Sequence, residues 1–216
     1  VSKVKIVSTF APMDEKRLEI LERTSTVYMR LGIKSVTMDD LARELGISKK
    51  TIYKYFDDKS DLVRSIVEMK MEMDQALCMN CINESGNAID DLIQVSKLIA
   101  EHIGNINPTV FHDVKKYHSD AWQLMENHRW GFVLNMIVSN IEKGKKESLY
   151  RDDLNAEVIG RLYVSSIDTL FNPDIFPWPK FTFQEVYSEL IRFHIKGLVN
   201  DNGLEYLRQK LYNGEF

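Results

Sequence analysis

The chain has 216 residues, 44% of them hydrophobic, with only 10 Gly and 5 Pro, enough for one large or two small globular domains and leaning towards helix. No window reaches the roughly 18 consecutive apolar residues of a membrane span. Val1 to Phe10 carry no long apolar run, and two cysteines are too few for a disulfide framework, so a cytoplasmic protein without a secretory signal is expected. The net charge of −4 is split unevenly: up to Arg64 there are 13 Lys and Arg against 10 Asp and Glu, and beyond it 15 against 22. A basic head that meets a polyanion and an acidic body that does not would show this split, and so would chance variation of surface charge.

Leu18, Leu21, Tyr28 and Leu31, with Ile20 and Val27 beside them, predict a first helix over Asp14 to Leu31, closed by Gly32. Thr37 is a good N-cap for a short second helix marked by Met38, Leu41, Ala42 and Leu45. Asp39 and Asp40 suit its first turn, and Gly46 stops it. Ser48 caps a third helix with Ile52, Tyr53 and Phe56 on its buried side. Asp57 or Asp58 opens a long fourth through Leu62, Ile66, Met69, Met73 and Leu77. Ser85-Gly86-Asn87 breaks the pattern, and Asn87 with Asp90 resembles a capping box. Further helices are expected from Asn87 to about Gly104, from Pro108, from about Ser119 to Lys143, and from Asn155 to Phe171. Pro173, Pro177 and Pro179 mark an irregular connection before a last pair, Phe183 to Val199 and Leu204 to Leu211, separated at Asn202-Gly203. Nothing alternates over more than a few residues, so the fold class is expected to be all-α, without internal repeats.

The stretch "LGISKKTIYKYFDDKSDL", residues 45 to 62, gathers four lysines and three aromatic rings in an acidic chain. Leu41, Ala42, Gly46, Ile47, Ile52 and Phe56 fall where a helix-turn-helix needs them: a small residue at the crossing, a glycine in the turn and apolar anchors behind. The outer face of the second helix is then Lys49, Lys50, Thr51, Lys54 and Tyr55. Lysines suit phosphates and guanine edges, hydroxyls suit phosphates, and rings suit sugars and thymine methyls. A solvated lysine face would explain the lysines alone, but not the crossing, the turn and the anchors together.

"VTMDDLARELGISKKTIYKYFDDKSDLV", residues 36 to 63, resembles the DNA-binding signature of the tetracycline-repressor (TetR) family, and "ILERTSTVYMRLG", residues 20 to 32, resembles the helix before it. The resemblance implies an N-terminal three-helix head over residues 1–58 and a larger C-terminal helical ligand-binding and dimerisation domain over 59–216. It implies a homodimeric repressor bound to double-stranded operator DNA and released by a small-molecule effector, with no membrane partner. It further implies that Thr37, Lys50, Thr51, Tyr53, Tyr55 and Lys59 touch DNA, with Lys49 and Lys54 at the variable base-reading positions. Two departures stand out: Thr24 and Ser25 replace apolar residues, and Lys50 stands where many relatives have glycine or proline. "GKKESLYRDDLNAEVIGRLYVSSIDTLF", residues 144 to 171, is loosely similar to the approach to and first half of the dimer-forming helix pair. Broad apolar stripes on both late helices, with small Ser165 and Ser166 in the first, put the expected interface at Leu162, Ser166, Ile167, Leu170, Tyr187, Leu190, Ile191 and His194.

Other signals are weaker. Cys78 and Cys81 form a lone C-x-x-C at the far end of a long helix, the wrong pole for a stabilised thiolate. Five scattered histidines form no ligand pair, and no phosphate-binding or nucleophile motif occurs, so no metal, cofactor or catalytic residue is expected. Phe111, Trp122, Met125, Trp130, Phe132 and Met136 fit either plain core or the wall of an effector cavity. Two rival readings remain open at this point: an all-α enzyme acting on a small apolar molecule, and a helical protein-interaction module.

Overall fold

The computed structural model describes residues 14–212 except 85, 104, 105, 108 and 178. The expectations for Val1 to Phe10, Ser85, Gly104 and Pro108 lie outside these residues. All regular elements described are helical, joined by one isolated antiparallel bridge between Tyr150 and Val199.

Local chemistry accounts for the helix ends. Asp14 opens α1 (Glu15–Leu31) by accepting the Lys16 N–H, and Gly32, at φ +81°, closes it by donating to Tyr28 O. Thr37 opens α2 (Met38–Leu45) in a full capping box with Asp40, and Gly46 ends it in the left-handed region at φ +65°. Ser48 caps α3 (Lys49–Tyr53), and Asp58 accepts the Asp61 N–H at 2.8 Å where α4 (Lys59–Glu84) begins. The apolar faces of these helices close on Ile20, Leu21, Tyr28, Leu41, Leu45, Ile52, Phe56, Leu62, Val63 and Ile66. Thr24 and Ser25 are buried among them, and the Thr24 hydroxyl finds no hydrogen-bond partner among the described residues. This first core extends into α6 (Thr109–Tyr117) and α7 (Ser119–His128) through Val114, Ala121, Trp122 and Met125.

A second core is built from α5 (Ala88–Ile103), α8 (Leu134–Lys146), α9 (Ala156–Leu170), α10 (Phe183–Leu198) and α11 (Asp201–Tyr212). Tyr150 is fully buried at its centre, with its hydroxyl 3.1 Å from both Ala88 O and Asn140 Oδ1. Its ring lies so close to Gly144 that an added Cβ would stand 2.1 Å from it.

Two expected boundaries differ. The long helix from about Ser119 to Lys143 is interrupted by a π turn, Arg129–Val133, whose buried Arg129 guanidinium pairs with Glu126 and with Asp168 of α9. The expected break at Asn202-Gly203 is instead the first turn of α11. Asn200 Oδ1 accepts the Gly203 N–H at 3.0 Å, and the glycine is there for space, since a Cβ would meet Leu149 O at 2.2 Å. A glycine serving close packing and one serving a turn look alike in sequence.

Gly144→Ala is expected to lower stability by about 1–3 kcal/mol, the range for overpacking a filled core, as measured by chemical denaturation. A second expectation concerns His194, whose imidazole burial pushes down to about 4 and whose Nε2 finds no partner among the described residues. Unfolded histidine titrates near 6.5, so between about pH 6.5 and 4 the unfolded chain binds the extra proton and this residue's contribution to stability falls as pH falls. His194→Phe should flatten the pH dependence of unfolding in that window; an unchanged slope would count against it.

Candidate nucleic-acid interface

A five-residue helix cannot hold its own orientation, so the geometry of α3 comes from its surroundings. Ile52 and Phe56 anchor it with no more than 1% of their surface exposed. Ser48 fixes its start, its Oγ accepting the Thr51 N–H at 3.0 Å and lying 2.8 Å from Thr51 Oγ1. Gly46 has nothing within 4 Å of a hypothetical Cβ, so glycine is required by the left-handed backbone and not by crowding. Ile47 N–H then donates back to Ala42 O at 3.0 Å and locks the turn.

With the anchors inward, α3 and the residue after it present Lys49, Lys50, Tyr53 and Lys54 to solvent. Tyr53 was expected on the buried side, but it is 44% exposed and belongs to the outer face. Helix α3 ends at Tyr53, so Lys54 is its C-cap and Tyr55 lies in the turn beyond, half-buried against the core with the Lys54 ammonium 5.4 Å from its ring. Lys49 donates to Asp39 at 2.9 Å, and this hydrogen bond raises its pKa. Both partners are exposed, so the pair is weak and exchangeable. Thr37 is exposed, with its hydroxyl donating to Asp40 Oδ2 at 2.6 Å.

Lys59, which the resemblance implies touches DNA, is bound to backbone within the chain. Its Nζ donates to Ile33 O and Val36 O, each at 2.6 Å, and burial lowers its pKa. The ammonium therefore staples the α1–α2 loop to the start of α4. Nothing in the local sequence signals this, because the partners are backbone carbonyls more than twenty residues away.

The six aromatic and methionine candidates do not converge. Phe132 and Met136 line a cleft of about 320 Å³ between α4, α5 and α8, with Met79, Ile82, Leu92 and Val95. Trp122 and Met125 pack against the first core instead, Phe111 stacks on Phe171, and Trp130 is exposed. Buried Asp91, whose pKa burial raises, meets Lys143 at 2.8 Å on the polar side of the cleft. Burial pushes the Cys78 thiol up to about 12, which keeps it protonated.

The expected interface residues of α9 and α10 also divide. Tyr187 and Ile191 are buried in the chain's own second core, so they are not available to a partner. Ile167, Leu170 and Leu190 pack on the same core, the Ser166 hydroxyl donates to Tyr163 O, and the His194 ring lies 4.7 Å from that of Tyr163. The outward apolar face is Leu162, 63% exposed, with Val158 at 50% and Phe193 at 81%. The apolar spacing alone does not show that Val158 and Phe193, and not Tyr187 and Ile191, are the exposed residues.

Lys54→Ala should weaken duplex binding by about 1–2 kcal/mol and leave the melting temperature unchanged, because it removes only an outward contact. Lys59→Ala should lower affinity and also cost stability on the order of 1–3 kcal/mol, since two buried carbonyls lose their charged donor. Fluorescence anisotropy and thermal melts read the two effects separately. A Lys59→Ala protein with the wild-type melting temperature would contradict the internal staple.

Residues 20–66 match the sequence profile of the bacterial regulatory proteins of the tetR family. The HTH-type transcriptional regulator YvaF of Bacillus subtilis (strain 168) is 29% identical over 186 residues, spanning 84% of this chain and 95% of that protein. The HTH-type transcriptional repressor KstR2 of Mycobacterium tuberculosis is 20% identical over 156 residues, 69% of this chain and 76% of that one. A solved transcriptional regulator from Saccharomonospora viridis, in complex with choline, shares the fold at a TM-score of 0.73 and 20% identity, covering 87% of this chain and 100% of its own. With a helix-turn-helix whose lysine and tyrosine face points outward, residues 20–66 make a DNA-binding segment of the tetR type, and the chain is a DNA-binding transcriptional regulator.

Proposed function

We propose that the chain acts as a homodimeric repressor that a small molecule releases from a roughly palindromic operator. The observation that carries this reading is the outward face of Lys49, Lys50, Tyr53 and Lys54 on a helix anchored by Ile52 and Phe56. In the bound state the residues up to 58 read DNA, and the two heads of a dimer enter major grooves about one helical turn apart. Residues from 59 onward hold the effector and the partner subunit. Lys49 and Lys54 read base edges, while Thr37, Lys50, Thr51, Tyr53 and Tyr55 fix the register on phosphates and sugars.

The apolar face of Val158, Leu162 and Phe193 supports the dimer, because a ring 81% exposed on a helix is costly to leave in water. Two-fold pairing of α9 and α10 would set matching faces together and fix the separation of the heads. The effector site we favour is the cleft of about 320 Å³ lined by Phe132, Met136, Met79 and Leu92. Its apolar wall and the Asp91–Lys143 pair at its polar side suit a small, mainly apolar molecule with one polar end. The choline found in the Saccharomonospora viridis relative supports a small-molecule site in this fold. Binding there would favour a conformer whose heads are wrongly spaced for the operator, to the extent that the ligand prefers that conformer.

Selection from a random duplex library tests the reading. The wild type should recover a palindrome whose binding falls steeply with salt, and Lys49→Ala with Lys54→Ala should change the preferred bases. Sedimentation tests the dimer: the wild type should sediment at twice the 25.2 kDa of one chain, and Phe193→Glu at one. A wild type that is monomeric at micromolar concentration would sink the dimer, and one without sequence preference would sink the operator.

A further inference from the structure

We infer that Asp39 and Lys49 act as one reader, which recognises the strand that carries the keto base of a base pair and prefers guanine there. Lys49 Nζ donates to Asp39 Oδ2 at 2.9 Å, joining the first turn of α3 to the first turn of α2. The two side chains stay 44% and 73% exposed, so the pair lies open to solvent beside Lys50, Tyr53 and Lys54. The neighbouring acid, Asp40, is committed to the fold. Its Oδ2 accepts the Thr37 N–H at 3.0 Å and the Thr37 hydroxyl at 2.6 Å, and its Oδ1 meets Arg43. Asp39 has no such duty. Among the described residues its carboxylate meets only Lys49, which leaves the other oxygen for a donor outside the protein.

An ammonium has three donors, and Asp39 takes one, so Lys49 keeps two for acceptors on DNA. In the major groove every base pair shows a keto oxygen beside an amino group: guanine O6 beside cytosine N4, or thymine O4 beside adenine N6. Those two atoms are hydrogen-bonded to each other at about 2.9 Å, the same separation as Lys49 Nζ and Asp39 Oδ2. Set edge to edge, the ammonium donates to the keto oxygen and the carboxylate accepts the outward amino hydrogen. Guanine adds N7 as a second acceptor for the ammonium, where thymine presents only its methyl group, so guanine ranks above thymine. A reversed pair sets the ammonium against an amino group and the carboxylate against a keto oxygen, and both contacts repel. The carboxylate also offsets the pull of Lys49 towards phosphates, which carry no sequence information. Asp39 therefore adds discrimination at the expense of unspecific affinity.

Asp39 can act this way only if Lys49 meets base edges, so the inference rests on the function proposed above, and the experiment separates the two. The operator recovered by the wild type is varied one base pair at a time, with affinities read by fluorescence anisotropy. At one position of each half-site, one strand should rank guanine first, thymine second, and adenine and cytosine last. Guanine should exceed cytosine there by about thirtyfold. Asp39→Ala should cut that ratio about fivefold or more at this position alone. It should also bind random duplex about threefold more tightly, with a salt slope steeper by about one unit, because the released lysine takes a phosphate. Lys49→Ala should flatten the same position, and the double variant should lose no more discrimination than Lys49→Ala alone. Asp39→Asn carries the test if Asp39→Ala does not fold, since an amide offers donors and an acceptor alike and loses the polarity. A pair that merely ties α2 to α3 would scale all affinities together, and an unchanged ranking in the folded Asp39 variants overturns the inference. If Lys49→Ala still alters a base preference in that case, the lysine's own reading stands. A position where guanine and adenine lead on one strand also overturns the paired reader, because a lysine alone on N7 explains it. A wild type with no sequence preference overturns the operator reading, and this inference with it.

Discussion

The burial of Ile52 and Phe56 is the constraint on which the head depends. Helix α3 has five residues, fewer than an isolated helix needs to form at all, so its backbone gains nothing from propensity alone. Burying two such side chains against Leu41, Leu45 and Leu62 contributes on the order of 2 kcal/mol each. That burial leaves one rotation of the helix, the one that turns Lys49, Lys50 and Tyr53 outward. Gly46 and Ser48 then set its start, and the outward lysine and tyrosine face follows from packing on its opposite side.

The same dependence of outside on inside recurs in α9 and α10. Their stripes are wider than the chain's own second core covers. Tyr163, Tyr187, Ile191 and Ile195 fill the second core, and Val158, Leu162 and Phe193 are left on the far side. The buried half of each helix holds the exposed half in a fixed orientation.

Two charges beside the head grip backbone. Asp113 and Lys59 together satisfy two N–H and two C=O groups of one loop. Lys49 and Asp39, by contrast, meet in water and can part at little cost. Charged groups that shape the head and charged groups that are free to meet a partner therefore stand a few residues apart, distinguished only by burial.

Much of this was legible in the residues themselves. Caps at Thr37 and Ser48, stops at Gly32 and Gly46, and the apolar spacing around Ile52 and Phe56 are local signals, and each acts within a turn or two of where it is read. They determined the all-helical class, the helix-turn-helix and most of its outward residues. What only the tertiary structure decided depends on partners far along the chain. Periodicity reports that a face is buried but not against what, so it could not assign Tyr187 inward and Phe193 outward. A lysine's spacing cannot tell a phosphate contact from a staple on Val36 O, and no local pattern links Asp113 to amides 79 and 80 residues earlier. Those pairings arise because burial leaves a charge only the polar groups within reach, and which groups those are is settled by how the helices pack.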